Sequence, residues 1–65
     1  MANIQNELKI DIIKHRQGEN EARINFIQLD IESSSNQELI EQYQNNINDL
    51  LAKNSALELL KETLI

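Results

Sequence analysis

Three consecutive serines, Ser33-Ser34-Ser35, divide a chain of 65 residues into halves with different hydrophobic periods. Before them, apolar residues mostly alternate with polar ones around the only glycine, Gly18. After them, apolar residues recur every three or four positions, with no glycine or proline. A period of two belongs to a strand with one buried face. A period near 3.6 belongs to a helix. The switch therefore predicts an α+β unit: a β-hairpin over 4–15 and 20–32, followed by one long amphipathic helix over 36–63.

Ile4, Leu8, Ile10 and Ile12 point one way, and Gln5, Glu7, Lys9 and Asp11 the other. Ala22, Ile24 and Phe26 alternate in one phase, and Ile27, Leu29 and Ile31 in the opposite phase. A β-bulge at Phe26-Ile27 restores the facing. Gly18 takes the left-handed position of a short loop between the strands. The register pairs Ile12 with Ala22, Ile10 with Ile24, Leu8 with Phe26 and Ile4 with Ile31. Asp11 then lies opposite Arg23 on the outer face. The first 32 residues hold seven Ile and two Leu, and residues 36–65 hold three Ile and seven Leu. β-branched residues favour strands, and leucine favours helices.

The alternative is all-α: a first helix from about Asn3 to Glu32, folded back on the second as an antiparallel αα-hairpin that dimerises into a helical bundle. In that pairing Phe26 meets Tyr43, Ala22 meets Ile47 and Ile12 meets Leu57, with His15 and Asn54 as a polar layer. Against it stand Gly18 in mid-helix, the polar stretch His15–Glu21, and Asp30 and Glu32 at an unfavourable helix end.

The second half is read as a helix opened by a capping box, Ser35 with Glu38. Ile40, Tyr43, Ile47, Leu50, Asn54, Leu57 and Leu64 form its main stripe and are the expected oligomer or partner interface. Asn54 is the one polar member, and a buried asparagine in such a seam fixes register or oligomer state. The other reading of Asn54 is a solvated residue at the stripe's edge.

Composition narrows the function. The whole chain is one small domain, and without cysteine it has no disulfide to reinforce it. Association then supplies the missing core, and a homodimer is expected. A net charge of −5 disfavours nucleic acid and anionic membranes as partners. It favours a protein with a basic surface instead. No apolar run approaches the length of a membrane span and no signal-peptide core follows Met1, so a cytoplasmic location is expected. Ten Ile and nine Asn with no Val have the look of an AT-rich genome, bacterial or phage.

Chemistry is sparse. The only histidine, His15, has no organised nucleophile beside it and reads as a solvated loop residue. One glycine cannot make a phosphate loop. Asp49, Glu58 and Glu62 read as a charged solvent face, so no catalytic residue, metal ligand or cofactor is assigned. Lys14, Arg16 and Arg23 are a candidate anion contact, with solubilising charge as the plainer reading. Asn36-Gln37-Glu38-Leu39-Ile40 resembles in part the Ser-Gln-Glu-Leu-Asp motif of small αα-hairpin aspartyl-phosphate phosphatases. Asn36 stands at the motif's serine and Ile40 at its aspartate, so three of the five positions match. With that carboxylate missing, the resemblance implies no phosphatase activity here.

The sequence thus supports a non-enzymatic interaction module, a regulator or inhibitor that binds another protein as a homo-oligomer. The alternatives are a binder of a small phosphate-bearing ligand at a dimer interface and a structural component of a larger assembly.

Overall fold

The computed structural model describes residues 4–65, which form two α-helices, α1 (Ile4–Ser33) and α2 (Gln37–Thr63). They run antiparallel. Near the open end the Asn6 amide reaches the Leu64 carbonyl at 3.5 Å, and midway Gln17 and Asn20 meet Asn54. The all-α architecture overturns the α+β expectation: no strand occurs among the described residues. Asn3, the proposed first residue of the alternative helix, lies outside them.

The cause of the misleading alternation is visible once α1 is a helix. Asn6, Ile10, Ile13, Gln17, Asn20, Ile24, Ile27 and Ile31 are spaced by four and three, and all are buried or half-buried. Leu8, Ile12, His15, Glu19, Ala22, Phe26 and Leu29 have the same spacing, and all are exposed. Two helical stripes on nearly opposite sides interleave in sequence. Their overlay gives apolar residues at every second position and mimics a strand. The phase slip at Phe26-Ile27 is no bulge: Phe26 belongs to the outer stripe and Ile27 to the inner one. The paired strands, with Ile12 opposite Ala22 and Asp11 opposite Arg23, do not exist, because these residues share one helix.

Gly18 makes no turn. It lies inside α1, and no residue among those described has a positive φ. A Cβ added at Gly18 would meet nothing within 4 Å. Gly18→Ala is therefore expected to stabilise the chain by about 0.5–1 kcal/mol, through a less disordered unfolded state. Urea denaturation reads the gain, and a loss of stability would contradict the helical placement.

The helices are joined by Ser34, Ser35 and Asn36, a loop of the length common in αα-hairpins. Asn36, not Ser35, caps α2. Its side-chain oxygen accepts from the amides of Glu38 at 3.0 Å and Leu39 at 3.3 Å. The Asn36 amide in turn donates to Ser34 Oγ at 3.2 Å, and Ser33 Oγ donates to the Asp30 carbonyl at 3.1 Å. Ser35 is thus passed over because a better acceptor follows it, while the neighbouring serine hydroxyls satisfy the loop backbone.

The hairpin is a rod with extents of 54 × 15 × 10 Å and a radius of gyration of 15.3 Å. A compact globule of this length would have a radius of about 11 Å. Two helices make one seam and no second layer. Among the described residues only Ile13, Ile24 and Leu50 are buried hydrophobics, at 5 %, 9 % and 8 % exposure. By contrast Ile4, Leu8, Ile12, Phe26, Leu29, Leu51, Leu59, Leu60 and Ile65 each expose half or more of their surface.

Candidate interaction site

The seam carries a polar layer at its middle. Asn54 stands in the inner stripe of α2, among Ile47, Leu50, Leu57 and Leu64. Its oxygen accepts from the Asn20 amide at 2.8 Å, and its own amide donates to the Gln17 carbonyl at 3.3 Å. Gln17 returns the bond, donating to the Asn54 carbonyl at 3.4 Å and to the Glu58 carboxylate at 3.0 Å. No buried side-chain polar atom among the described residues lacks a partner. A layer satisfied in this way aligns the two helices at one register. His15 is not part of it, contrary to the expected pairing with Asn54: it faces solvent and pairs with Glu19 at 2.9 Å. Nor do Phe26 and Ala22 meet Tyr43 and Ile47, because both lie exposed on the outer stripe.

Glu58 closes the layer toward the chain terminus, accepting from Lys61 Nζ at 2.9 Å as well as from Gln17. The Lys61 hydrogen bond, then the Gln17 hydrogen bond, hold its carboxyl below the usual glutamate range against a small opposing effect of desolvation. A carboxyl depressed in the folded state stabilises the fold above its unfolded pKa. That contribution is lost as pH falls through the folded value. In an NMR titration the Glu58 midpoint should therefore rise in a Gln17→Leu/Lys61→Met variant. An unchanged midpoint would remove Glu58 from the layer.

The outer surface divides into two faces. Glu7, Asp11, Lys14, Gly18, Glu21, Asn25, Gln28 and Glu32 follow the four-and-three spacing on α1, are all exposed, and contain no apolar side chain. Four of the eight are acidic and one, Lys14, is basic, so one long edge of the rod is a net negative strip. The other face holds an open groove of about 730 Å³ between the helices, floored by Ile12, Ala56, Leu57 and Leu60. Arg16, Arg23 and Lys53 also line it. Lys53 is paired with Asp49 at 3.0 Å. Neither Arg16 nor Arg23 holds an ion pair or side-chain hydrogen bond among the described residues.

The residues singled out from sequence fall as follows. Ile40, Tyr43, Ile47, Leu50, Asn54, Leu57 and Leu64 are buried or half-buried and form the α2 side of the hairpin's own seam. Arg16 and Arg23 come together at the groove because they are one heptad apart on one helix. Lys14 is set apart on the negative strip. The sequence reading missed Gln17 and Asn20 as partners of Asn54. The four-and-three spacing of both was readable in principle. Among the described residues, no group of three His, Asp or Glu side chains is placed to hold a metal ion, and no helix is long and apolar enough to cross a membrane. No family model, curated protein or solved structure matches this chain.

Proposed function

We propose that this chain is a non-enzymatic interaction module: a helical hairpin that associates with itself and presents an acidic edge to another protein, whose activity it regulates. The observation that carries the reading is the distribution of apolar surface. Among the described residues three hydrophobic side chains are buried, while nine large ones stay at least half exposed. Single exposed leucines are ordinary, but apolar residues recurring along one exposed helix face, as Leu8, Ile12, Ala22, Phe26 and Leu29 do, mark an interaction surface. A two-helix chain of this size gains from a second copy what it lacks in core.

The acidic strip of Glu7, Asp11, Glu21 and Glu32 lies apart from that stripe, so both surfaces are usable at once. An exposed run of like charge steers association with a basic protein surface. The test is cross-linked capture from the native host, comparing the wild type with Glu7→Lys/Asp11→Lys/Glu21→Lys. The reading expects a reproducible protein partner that the charge-reversed chain fails to hold, with the mass of the free assembly unchanged. Identical captures from both chains would overturn the acidic edge as the binding surface.

A further inference from the structure

We propose that the outer stripe of α1 is covered by the same stripe of a second copy, the two α1 helices running antiparallel about a two-fold axis beside Gly18 and Glu19. This deepens the self-association reading above and rests on it. A two-fold contact joins one patch to itself, so the patch must be self-complementary. The stripe meets that condition. It reads Leu8, Ile12, His15, Glu19, Ala22, Phe26, Leu29, and all seven are exposed. Its spacing of four, three, four, three, four, three is matched when the second copy is laid antiparallel. Leu8 then comes level with Leu29 of the second copy, Ile12 with Phe26, and His15 with Ala22. The apolar pairs lie at the two ends and the polar residues at the centre. These four large side chains are 57 %, 55 %, 69 % and 59 % exposed in the single hairpin, for Leu8, Ile12, Phe26 and Leu29 in turn. A parallel pairing would set each residue against its own kind and place Phe26 on Phe26.

Charge supports the same arrangement. At the axis the two Glu19 carboxylates approach each other, which would be unfavourable alone. Arg16 and Arg23 flank Glu19 one turn away on either side, and neither has an ion pair among the described residues. Two copies bring four guanidiniums around two carboxylates. Farther out on the same flank, Lys9 comes level with Asp30 of the second copy. The polar strip of Glu7, Asp11 and Glu21 stays outside the contact.

The chain has no native cysteine, so disulfide trapping reads the geometry directly. Leu8→Cys and Leu29→Cys chains are oxidised separately and as a mixture, alongside sedimentation of the uncrosslinked protein. The proposal expects a covalent dimer from the mixture and little from either chain alone. Efficient cross-linking of Leu8→Cys with itself would overturn the antiparallel axis. A non-covalent dimer with no cross-link in the mixture would overturn this surface while leaving self-association standing. A monomer throughout would overturn both. Phe26→Glu is the second variant: it should halve the mass with helix content retained, whereas Leu51→Glu, on the opposite side of the rod, should leave the mass unchanged. Equal effects of the two substitutions would also count against the proposal.

Discussion

Leu50→Ala should abolish the folded hairpin at 25 °C, removing most of the helical circular-dichroism signal. Leu50 is 8 % exposed and one of three buried hydrophobic residues. Truncating a buried leucine to alanine costs about 2–5 kcal/mol, combining lost transfer free energy with the cavity left behind. A chain this short rarely holds more than about 3–5 kcal/mol from its core. The loss is therefore of the same size as the whole stability. Ile13→Ala should behave alike, since Ile13 is 5 % exposed. Phe26→Ala is the informative contrast. Phenylalanine is the larger side chain, yet at 69 % exposure it adds little to its own hairpin. Its truncation should leave helix formation within one chain intact and weaken only association. If Phe26→Ala unfolds the isolated hairpin as Leu50→Ala does, the division into inner and outer stripes is wrong.

The second large effect concerns the polar layer, and it has the opposite sign. Replacing Gln17, Asn20 and Asn54 together by leucine should raise the thermal stability of the assembly by about 1–4 kcal/mol, since each half-buried leucine adds on the order of 1 kcal/mol of apolar burial, offset in part by the hydrogen bonds lost. The same triple variant should lose a single defined mass, because an all-apolar seam no longer penalises other pairings of four-and-three stripes. Asn54→Leu alone should do neither. It strips one hydrogen bond from the Asn20 side-chain amide and one from the Gln17 main-chain carbonyl, but both residues are half-exposed, so water replaces the lost partner. Calorimetry and sedimentation velocity read the two consequences separately. A triple variant less stable than the wild type would mean that the layer contributes stability rather than alignment.

The second helix was legible in the sequence because it has one dominant apolar stripe, and Ile40 through Leu64 mark it without competition. Its start was displaced by one residue. Ser35 with Glu38 matches the capping-box pattern, but Asn36 offers an amide oxygen one position later and accepts from two backbone donors. The first helix was hidden by its own richness. Ile24, Ile27 and Ile31 serve the seam, Ala22, Phe26 and Leu29 serve the outside, and the sum alternates like a strand. The polar stretch His15–Glu21 and Gly18 counted against a helix. In the fold that stretch supplies Gln17 and Asn20, which stand opposite Asn54. A polar residue in one stripe therefore had its answer in the other half of the chain. Only the pairing of the helices makes that visible, because hydrogen bonds between residues 34 and 37 positions apart leave no local pattern.

The unfavourable end of α1 has a related explanation. Asp30 and Glu32 sit in the last turn with no basic residue there to offset the helix dipole. The helix ends by handing its last groups to serines: Ser33 Oγ donates to the Asp30 carbonyl and the Ser34 amide to the Ile31 carbonyl. Local penalties of a few tenths of a kcal/mol do not decide a fold when eight inner positions of α1 face seven of the second half along one seam.

The central claim is that this hairpin obtains its missing core from a second copy. The most direct measurement is the thermal midpoint of helix unfolding as protein concentration is varied over two decades. If a second copy stabilises the folded hairpin, the midpoint rises steadily with concentration by mass action. A midpoint independent of concentration would show that a second copy adds nothing to the stability of the hairpin and would contradict the account.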